Sequence, residues 1–209
     1  MVDKISSWKF VEEFLEEPVS LLKARARADE FGVECVTPAT GAQLAFIASA
    51  LGANAIVEAG TGAGVSGLWL LGASTKSVLA TIDTEPELQT AAKQAFTDAG
   101  IAANRTRVIS GKAIEVMSNM ADAAYDMVFL DADKETLGAQ IHEAARLLRP
   151  GGAVVIAHAL WRDRVPDPAM RDEATVAYRD AIRNLTQNDD FVAAISTVGD
   201  GLLMASKRA

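Results

Sequence analysis

Residues 56–67 read Ile56-Val57-Glu58-Ala59-Gly60-Thr61-Gly62-Ala63-Gly64-Val65-Ser66-Gly67. The β-branched pair Ile56-Val57 follows small apolar residues, as in a central parallel strand buried on both faces. Gly60, Gly62 and Gly64 carry no Cβ, so a ligand can lie against the backbone and the chain can take positive φ. Val65 to Leu71 continues as a helix whose free N–H groups point back at the turn. Strand, glycine turn and helix together make a nucleotide-type pocket at the carboxyl edge of a sheet.

Two ligands compete for that pocket. Gly62-x-Gly64-x-x-Gly67 matches the dinucleotide fingerprint, and Asp83 stands about where a ribose-binding acid is expected. Glu58 argues the other way. A carboxylate two residues before Gly60 repels a pyrophosphate on the turn and suits a ligand with positive charge and no phosphate. S-adenosylmethionine, with its ribose, adenine, sulfonium and ammonium, is such a ligand. The run Glu-x-Gly-Thr-Gly-x-Gly-x-Ser from Glu58 to Ser66 resembles the first motif of S-adenosylmethionine-dependent methyltransferases. A plainer reading stays open for Glu58: acids favour helix N-termini in any case.

A chain of 209 residues is long enough for one α/β domain with a full core, and half its residues are apolar. The net charge of -8 leaves no basic stripe to neutralise phosphates, which argues against a nucleic-acid or anionic-membrane partner. Cys35 is the only cysteine, so no internal disulfide can form and a reducing, cytoplasmic setting is expected. Asp3, Lys4, Glu12 and Glu13 leave no apolar signal core near the start. Ala42 to Ala59 is nearly apolar but is broken by Gln43, Gly52, Asn54 and Glu58. It reads as helix, turn and strand rather than a membrane span.

The rest of the chain alternates regularly. Trp8, Val11, Phe14 and Leu15 recur at helical spacing; Pro18 interrupts, and Leu21 to Phe31 resumes the pattern. Thr37 to Gly41 is a turn and helix start, with Leu44, Phe46, Ile47 and Leu51 as a face toward the sheet. Strands are expected at Val78 to Ile82, Arg107 to Ser110, Met127 to Leu130 and Ala153 to Ile156. Helices are expected at Pro86 to Ala99, Ala113 to Met120 and Leu137 to Leu148, the last closed by Arg149-Pro150-Gly151-Gly152. A polar loop with Pro166 and Pro168 precedes a helix from about Ala169 to Asn184. Phe191 to Val198 and Leu202 to Ala205 end the chain as two strands joined by Gly199-Asp200-Gly201, a link short enough to require antiparallel pairing. The expected architecture is α/β: a mostly parallel sheet with a terminal antiparallel hairpin.

Glu58, Asp83 and Asp131 fall at the ends of three successive candidate strands, and in a doubly wound sheet those ends line one crevice. Asp83 can accept both ribose hydroxyls, or simply cap a helix. Leu130-Asp131-Ala132-Asp133-Lys134 after an apolar strand is more specific. Together with residues 58–66, Leu147 to Gly152 and Gly199-Asp200-Gly201-Leu202, it resembles the small cation-dependent O-methyltransferases of the catechol and caffeoyl-coenzyme A type. The likeness runs from about Val36 to Ala205. It implies a Rossmann-like class I methyltransferase with a seven-stranded sheet, helices on both faces and an N-terminal helical extension. The chain is then a single domain, with residues 1–35 as the extension and 36–209 as the cofactor-binding core.

The resemblance also implies roles. Val36 precedes the helix that closes over the methionine part. Glu58, Gly60, Thr61 and Ser66 form the binding turn, with Ser66 on the methionine carboxylate. Asp83 takes the ribose, Thr84 lies beside the adenine, and Ala113 meets the adenine edge. Asp133 takes the methionine ammonium, and Asp131 is a metal- and substrate-side acid. Lys134 is the general base toward the acceptor hydroxyl; a surface lysine at a helix start is the rival reading. The family's homodimer is implied as well.

One departure bears on mechanism. Where the family's strand after Pro-Gly-Gly ends in an Asp-Asn pair completing a cation site, this chain has Ala157-His158. Ala157 offers no ligand, and His158 offers nitrogen where a hard cation wants oxygen. A softer metal on His158 and Asp131 would lack a third protein ligand, so no working divalent site is expected there. His158 joins Lys134 as a candidate base, or is simply a polar strand-end residue hydrogen-bonded to a neighbour. His142, mid-helix, reads as solvated. Trp161 and Arg162 can meet a flat, acidic acceptor or merely anchor a surface. The expectation is a methyltransferase acting on an oxygen of a small aromatic or phenolic acceptor. A cofactor-binding protein with little turnover and an NAD-dependent oxidoreductase are the alternatives.

Overall fold

The computed structural model describes residues 4–209; Asp3 lies outside the described residues. Three helices come first: α1 (Lys4–Glu13), α2 (Val19–Glu30) and α3 (Pro38–Ala50). Then follow β1 (Ala55–Ala59), α4 (Val65–Gly72), β2 (Val78–Asp83), α5 (Pro86–Asp98), β3 (Thr106–Ser110), α6 (Ala113–Met117) and β4 (Tyr125–Leu130). The chain ends with α7 (Leu137–Leu147), β5 (Leu148–Ile156), α8 (Glu173–Gln187), β6 (Phe191–Ser196) and β7 (Leu202–Lys207).

The strands form one seven-stranded sheet in the order β3-β2-β1-β4-β5-β7-β6. β1 to β5 run parallel, and β7 enters antiparallel between β5 and β6. The expected mostly parallel sheet with a terminal antiparallel pair is therefore present. Strand order reverses beside β1, with β2 on one flank and β4 on the other. Ligands of open α/β sheets bind in the crevice that such a reversal opens at the carboxyl ends.

Alternation along the strands explains why both sheet faces carry helices. Ile56, Met127, Phe129 and Val155 pack with Leu44, Leu68 and Phe96 from α3, α4 and α5. Their neighbours Val57, Val128, Val154 and Ile156 pack on the opposite face with Met117, Ile141, Leu147 and Tyr178 from α6, α7 and α8. Strands buried on both sides have no polar face to spare, so they read as unbroken apolar runs.

Several expected boundaries shift, each for a local reason. Arg149-Pro150-Gly151-Gly152 is not a loop but the first part of β5, which begins at Leu148. Register slips between the Tyr125 and Met127 pairings, and Gly151 takes φ 79 to absorb the irregularity. α8 starts at Glu173 rather than near Ala169, because Asp172 caps it through bonds from Thr175 N (3.1 Å) and Oγ1 (2.7 Å). Arg179 instead holds the preceding loop in place, donating to the carbonyls of Val165 (3.0 Å) and Met170 (2.6 Å). α6 stops at Met117, short of Met120. The link between β6 and β7 is residues 197–201, longer than the three residues expected.

The N-terminal periodicity holds only in part. α1 ends at Glu13, leaving Phe14 and Leu15 outside it and exposed. Glu12 fastens α1 to the start of α3, accepting from Thr37 Oγ1 (3.0 Å) and Ala39 N (3.1 Å). Thr37 is the N-cap of α3, with Thr40 N donating to its Oγ1 at 3.2 Å.

Candidate active site

The turn after β1 is laced between its neighbours. Gly60 N donates to Ile82 O at 2.9 Å, and Asp131 N donates to Ala59 O at 2.8 Å. Gly60 has φ 94, and a Cβ there would stand 2.1 Å from the Asp131 carbonyl oxygen. Only glycine lets the two strand ends come this close. Gly64, at φ 89, is the N-cap of α4 and turns the chain into that helix.

Beneath the turn lies a buried polar row. Glu58 pairs across the sheet with Thr81, whose Oγ1 donates to Glu58 Oε2 at 2.6 Å; Thr61 Oγ1 stands 2.7 Å from Thr81 Oγ1. Glu58 is wholly buried, and burial pushes its carboxyl up to about 7 against the pull of the neighbouring hydroxyls. No hydrogen bond of good geometry reaches its Oε1 among the described residues, although the Ser66 hydroxyl is close enough to pull the carboxyl down. Asp83, at the end of β2, accepts from Gly62 N at 2.9 Å and from Glu85 N at 3.0 Å, tying the glycine turn to its own strand.

Two small cavities of about 130 and 140 Å³ adjoin at this edge and share Gly60, Asp83 and Asp131. Val36, Thr61 and Ser66 line the first; Thr84, Ala113 and Asp133 line the second. All the sequence-derived cofactor residues thus meet at one place, with Glu58 below the floor rather than in the lining. Larger hollows exist beside Lys134 and Glu173 and beside Trp8 and Val198, but neither gathers such a set of acids and backbone turns.

A third hollow of about 40 Å³ opens on the far side of Glu34, Cys35 and Val36, against Ala157, His158 and Asp200. His158 sits just past β5 with φ 57. Its Nδ1 is 3.1 Å from Asp200 Oδ2, and its Nε2 is 3.4 Å from Asp131 Oδ1. Burial raises the Asp131 carboxyl, Glu34 adds to this, and the charges of His158 and Lys134 oppose it. Lys134 Nζ stands 4.3 Å from the centre of the Trp161 ring, which stacks on Tyr178 at 5.4 Å and 28°. Burial, with Asp131 and Asp200 nearby, raises the Tyr178 hydroxyl. Arg162 reaches Glu34 at 3.0 Å, joining the loop after β5 to the segment after α2.

Lys134, His158 and Asp131, named from the sequence, are therefore brought together. Asp200 and Glu34 were not named as site residues. Asp200 carried a signal only as the middle of Gly199-Asp200-Gly201, and its partner lies 42 residues earlier. His142 is exposed on α7, as expected. Among the described residues, no group of three or more His, Cys, Asp or Glu side chains could hold a metal ion.

This sheet, with its glycine turn at the reversal point and its antiparallel last strands, is the class I methyltransferase fold. The profile of the O-methyltransferase family matches residues 12–208, and the chain belongs to that family. A Mycobacterium ulcerans protein named as an O-methyltransferase is 49% identical over 195 residues, covering 93% of this chain and 87% of its own length. Among solved structures, a Corynebacterium glutamicum protein superposes with a TM-score of 0.91 at 30% identity, over 99% of this chain and 98% of that one. The O-methyltransferase TomG of Streptomyces achromogenes, involved in tomaymycin synthesis and solved with S-adenosylmethionine, gives 0.86 at 27% identity over 100% of both chains.

Proposed function

We propose that this enzyme transfers a methyl group from S-adenosylmethionine to an oxygen of a small aromatic or phenolic acceptor, without a divalent cation. The observation that carries the donor reading is the unpartnered, buried Glu58 Oε1 beneath cavities bordered by Asp83, Asp131 and Asp133. Such a surface suits a cationic ligand and repels the pyrophosphate of NAD. Asp83 would hold the ribose hydroxyls, Thr84 and Ala113 the adenine, and Ser66 and Asp133 the amino-acid end, with Val36, Gly60 and Thr61 shaping the cradle. Bound there, the donor supplies an electrophilic methyl on a sulfonium that leaves as a neutral thioether.

The residues do not fit a hard cation. Ala157 has no donor atom, and both nitrogens of His158 already face carboxylates. Asp131 alone is too little for an ion that wants six or more oxygens. His158 is instead the base that takes the acceptor proton at Nε2, while Lys134, over the Trp161 ring, draws the developing oxyanion. Trp161 and Tyr178 offer a flat wall that an aromatic acceptor can lie against.

The remaining parts of the reading concern assembly and setting. Residues 1–35 act as an extension to a single catalytic domain. Trp8, Phe10, Phe14, Val19 and Leu22 are exposed along it, an apolar surface that a second copy would cover in a homodimer. No described helix is long and apolar enough to cross a membrane, and the lone Cys35 accords with a cytoplasmic setting.

Methyl transfer to a panel of catechols, phenols and amines, with and without EDTA, tests the proposal. Product from a phenolic acceptor, unchanged by chelator, is expected. Tight S-adenosylhomocysteine binding with no product from any acceptor would point instead to a binding protein. Binding of NADH but not of S-adenosylhomocysteine would end the donor assignment.

A further inference from the structure

Asp200 belongs to none of the roles above, yet both its carboxylate oxygens and its carbonyl are bonded to the loop after β5. β7 pairs antiparallel with β5, Ile156 opposite Leu203, which brings the link before β7 level with the loop after β5. Asp200 Oδ2 stands 3.1 Å from His158 Nδ1, and Oδ1 accepts from Arg162 N at 2.6 Å. The Asp200 carbonyl accepts from Leu160 N at 2.9 Å, and that of Gly201 from Ala159 N at 3.0 Å. One short link therefore grips the whole segment 158–162.

That segment needs gripping. His158, Trp161, Arg162 and Asp163 have φ of 57, 45, 53 and 59, a left-handed conformation uncommon for residues other than glycine. Trp161, held in this turn, carries the contact with Lys134. Both ring nitrogens face carboxylates, but the Asp200 contact is the shorter, 3.1 Å against 3.4 Å. Burial favours the protonated form of Asp131, so the ring's own proton belongs on Nδ1 and Asp131 can donate toward Nε2. In the neutral ring the lone pair then lies on Nε2, the atom facing Asp131.

We propose that Asp200 is a positioning residue: it fixes His158 in the Nδ1–H tautomer and orients Nε2 toward the acceptor side of Asp131. The idea rests on His158 being the base in methyl transfer. Asp131 and Asp200 face the ring directly, and Lys134 and Glu34 act on Asp131 behind it. Asparagine at position 200 keeps the shape but supplies one acceptor oxygen where Asp200 uses two.

The chain has two histidines, so protein labelled with ¹⁵N-histidine shows two imidazoles, and His142→Ala assigns them. The expected spectrum of the wild-type protein, near neutral pH, has the His158 hydrogen on Nδ1. Asp200→Asn should lose this preference and lower kcat about 100-fold, with KM for S-adenosylmethionine within about twofold. In a His158→Ala background the same substitution should change kcat no further. A bare Nδ1, or a ring protonated on both nitrogens near neutral pH, in the wild-type protein overturns the proposal even if Asp200→Asn fails to fold. So does an Asp200→Asn kcat within about threefold of wild type, or an equal loss in both backgrounds, which marks a merely structural role. Should no acceptor be turned over, the methyl-transfer reading fails, while the tautomer measurement still judges Asp200.

Discussion

The two ends of the crevice are built differently. At the β1–β2 end, the site is backbone: a glycine turn, strand-end amides and a carboxylate, Asp83, bonded to Gly62 N within the same βαβ unit. At the β5–β7 end, it is side chain: His158 and Trp161 from the loop after β5, Lys134 from the segment after β4 and Asp200 from the link before β7 orient one another. At the first end an atom added to Gly60 would run into the Asp131 carbonyl, and at the second the His158 ring depends on contacts made by other side chains. A part whose shape is set by backbone is fixed by the fold, while one made of side chains from several loops can be retuned by single substitutions.

Substitutions at the two ends should therefore fail in different ways. The largest effect is expected from Gly60→Val. Its side chain would enter at φ 94 and 2.1 Å from the Asp131 carbonyl, so thermal stability and donor binding should both collapse. Unchanged melting would show that the turn is not rigid. His158→Ala should do the opposite, lowering kcat by about 100- to 1,000-fold with S-adenosylhomocysteine affinity within about twofold by calorimetry. A fall in affinity that matches the fall in kcat would erase the distinction between the ends.

Glu58→Gln sharpens the comparison through pH. The folded protein holds the Glu58 proton to about 7, whereas an unstrained glutamate releases it near 4.5. Between these values the folded state binds the extra proton, so stability without ligand should fall as pH rises toward 7 and then level off. A cationic donor favours the ionised form, so its affinity should rise with pH up to about 7, by at most about tenfold per pH unit. Glu58→Gln should flatten both curves and weaken S-adenosylmethionine binding about 10-fold or more. Identical profiles for variant and wild type would remove Glu58 from the donor site. The smallest effect belongs to Arg162→Ala. The Arg162–Glu34 bridge is more than half exposed at both ends, so its loss should cost less than about 1 kcal/mol by thermal denaturation.

What was legible in the sequence follows the same division. Ile56 to Gly67 announced strand, turn and helix because every requirement there is local: β-branching, absent Cβ atoms, free helix amides. The apolar runs at Met127 to Leu130 and Ala153 to Ile156 gave the strands, and Asp131 just beyond the first marked the edge. Boundaries failed where a distant group intervened. Arg149 and Pro150 belong to β5 because pairing with β4 extends to Tyr125, and α8 waits for the Asp172 cap.

By itself, then, the sequence determined the parallel core, the glycine turn and the acids that border it, since these depend on residues within one strand-turn-helix unit. Only the tertiary structure decided that Glu58 lies under the floor with an unbonded oxygen, that Lys134 rests on Trp161, and that Asp200 meets His158. These contacts join segments as many as 42 residues apart, and no spacing along a chain encodes which strand will slot between two others.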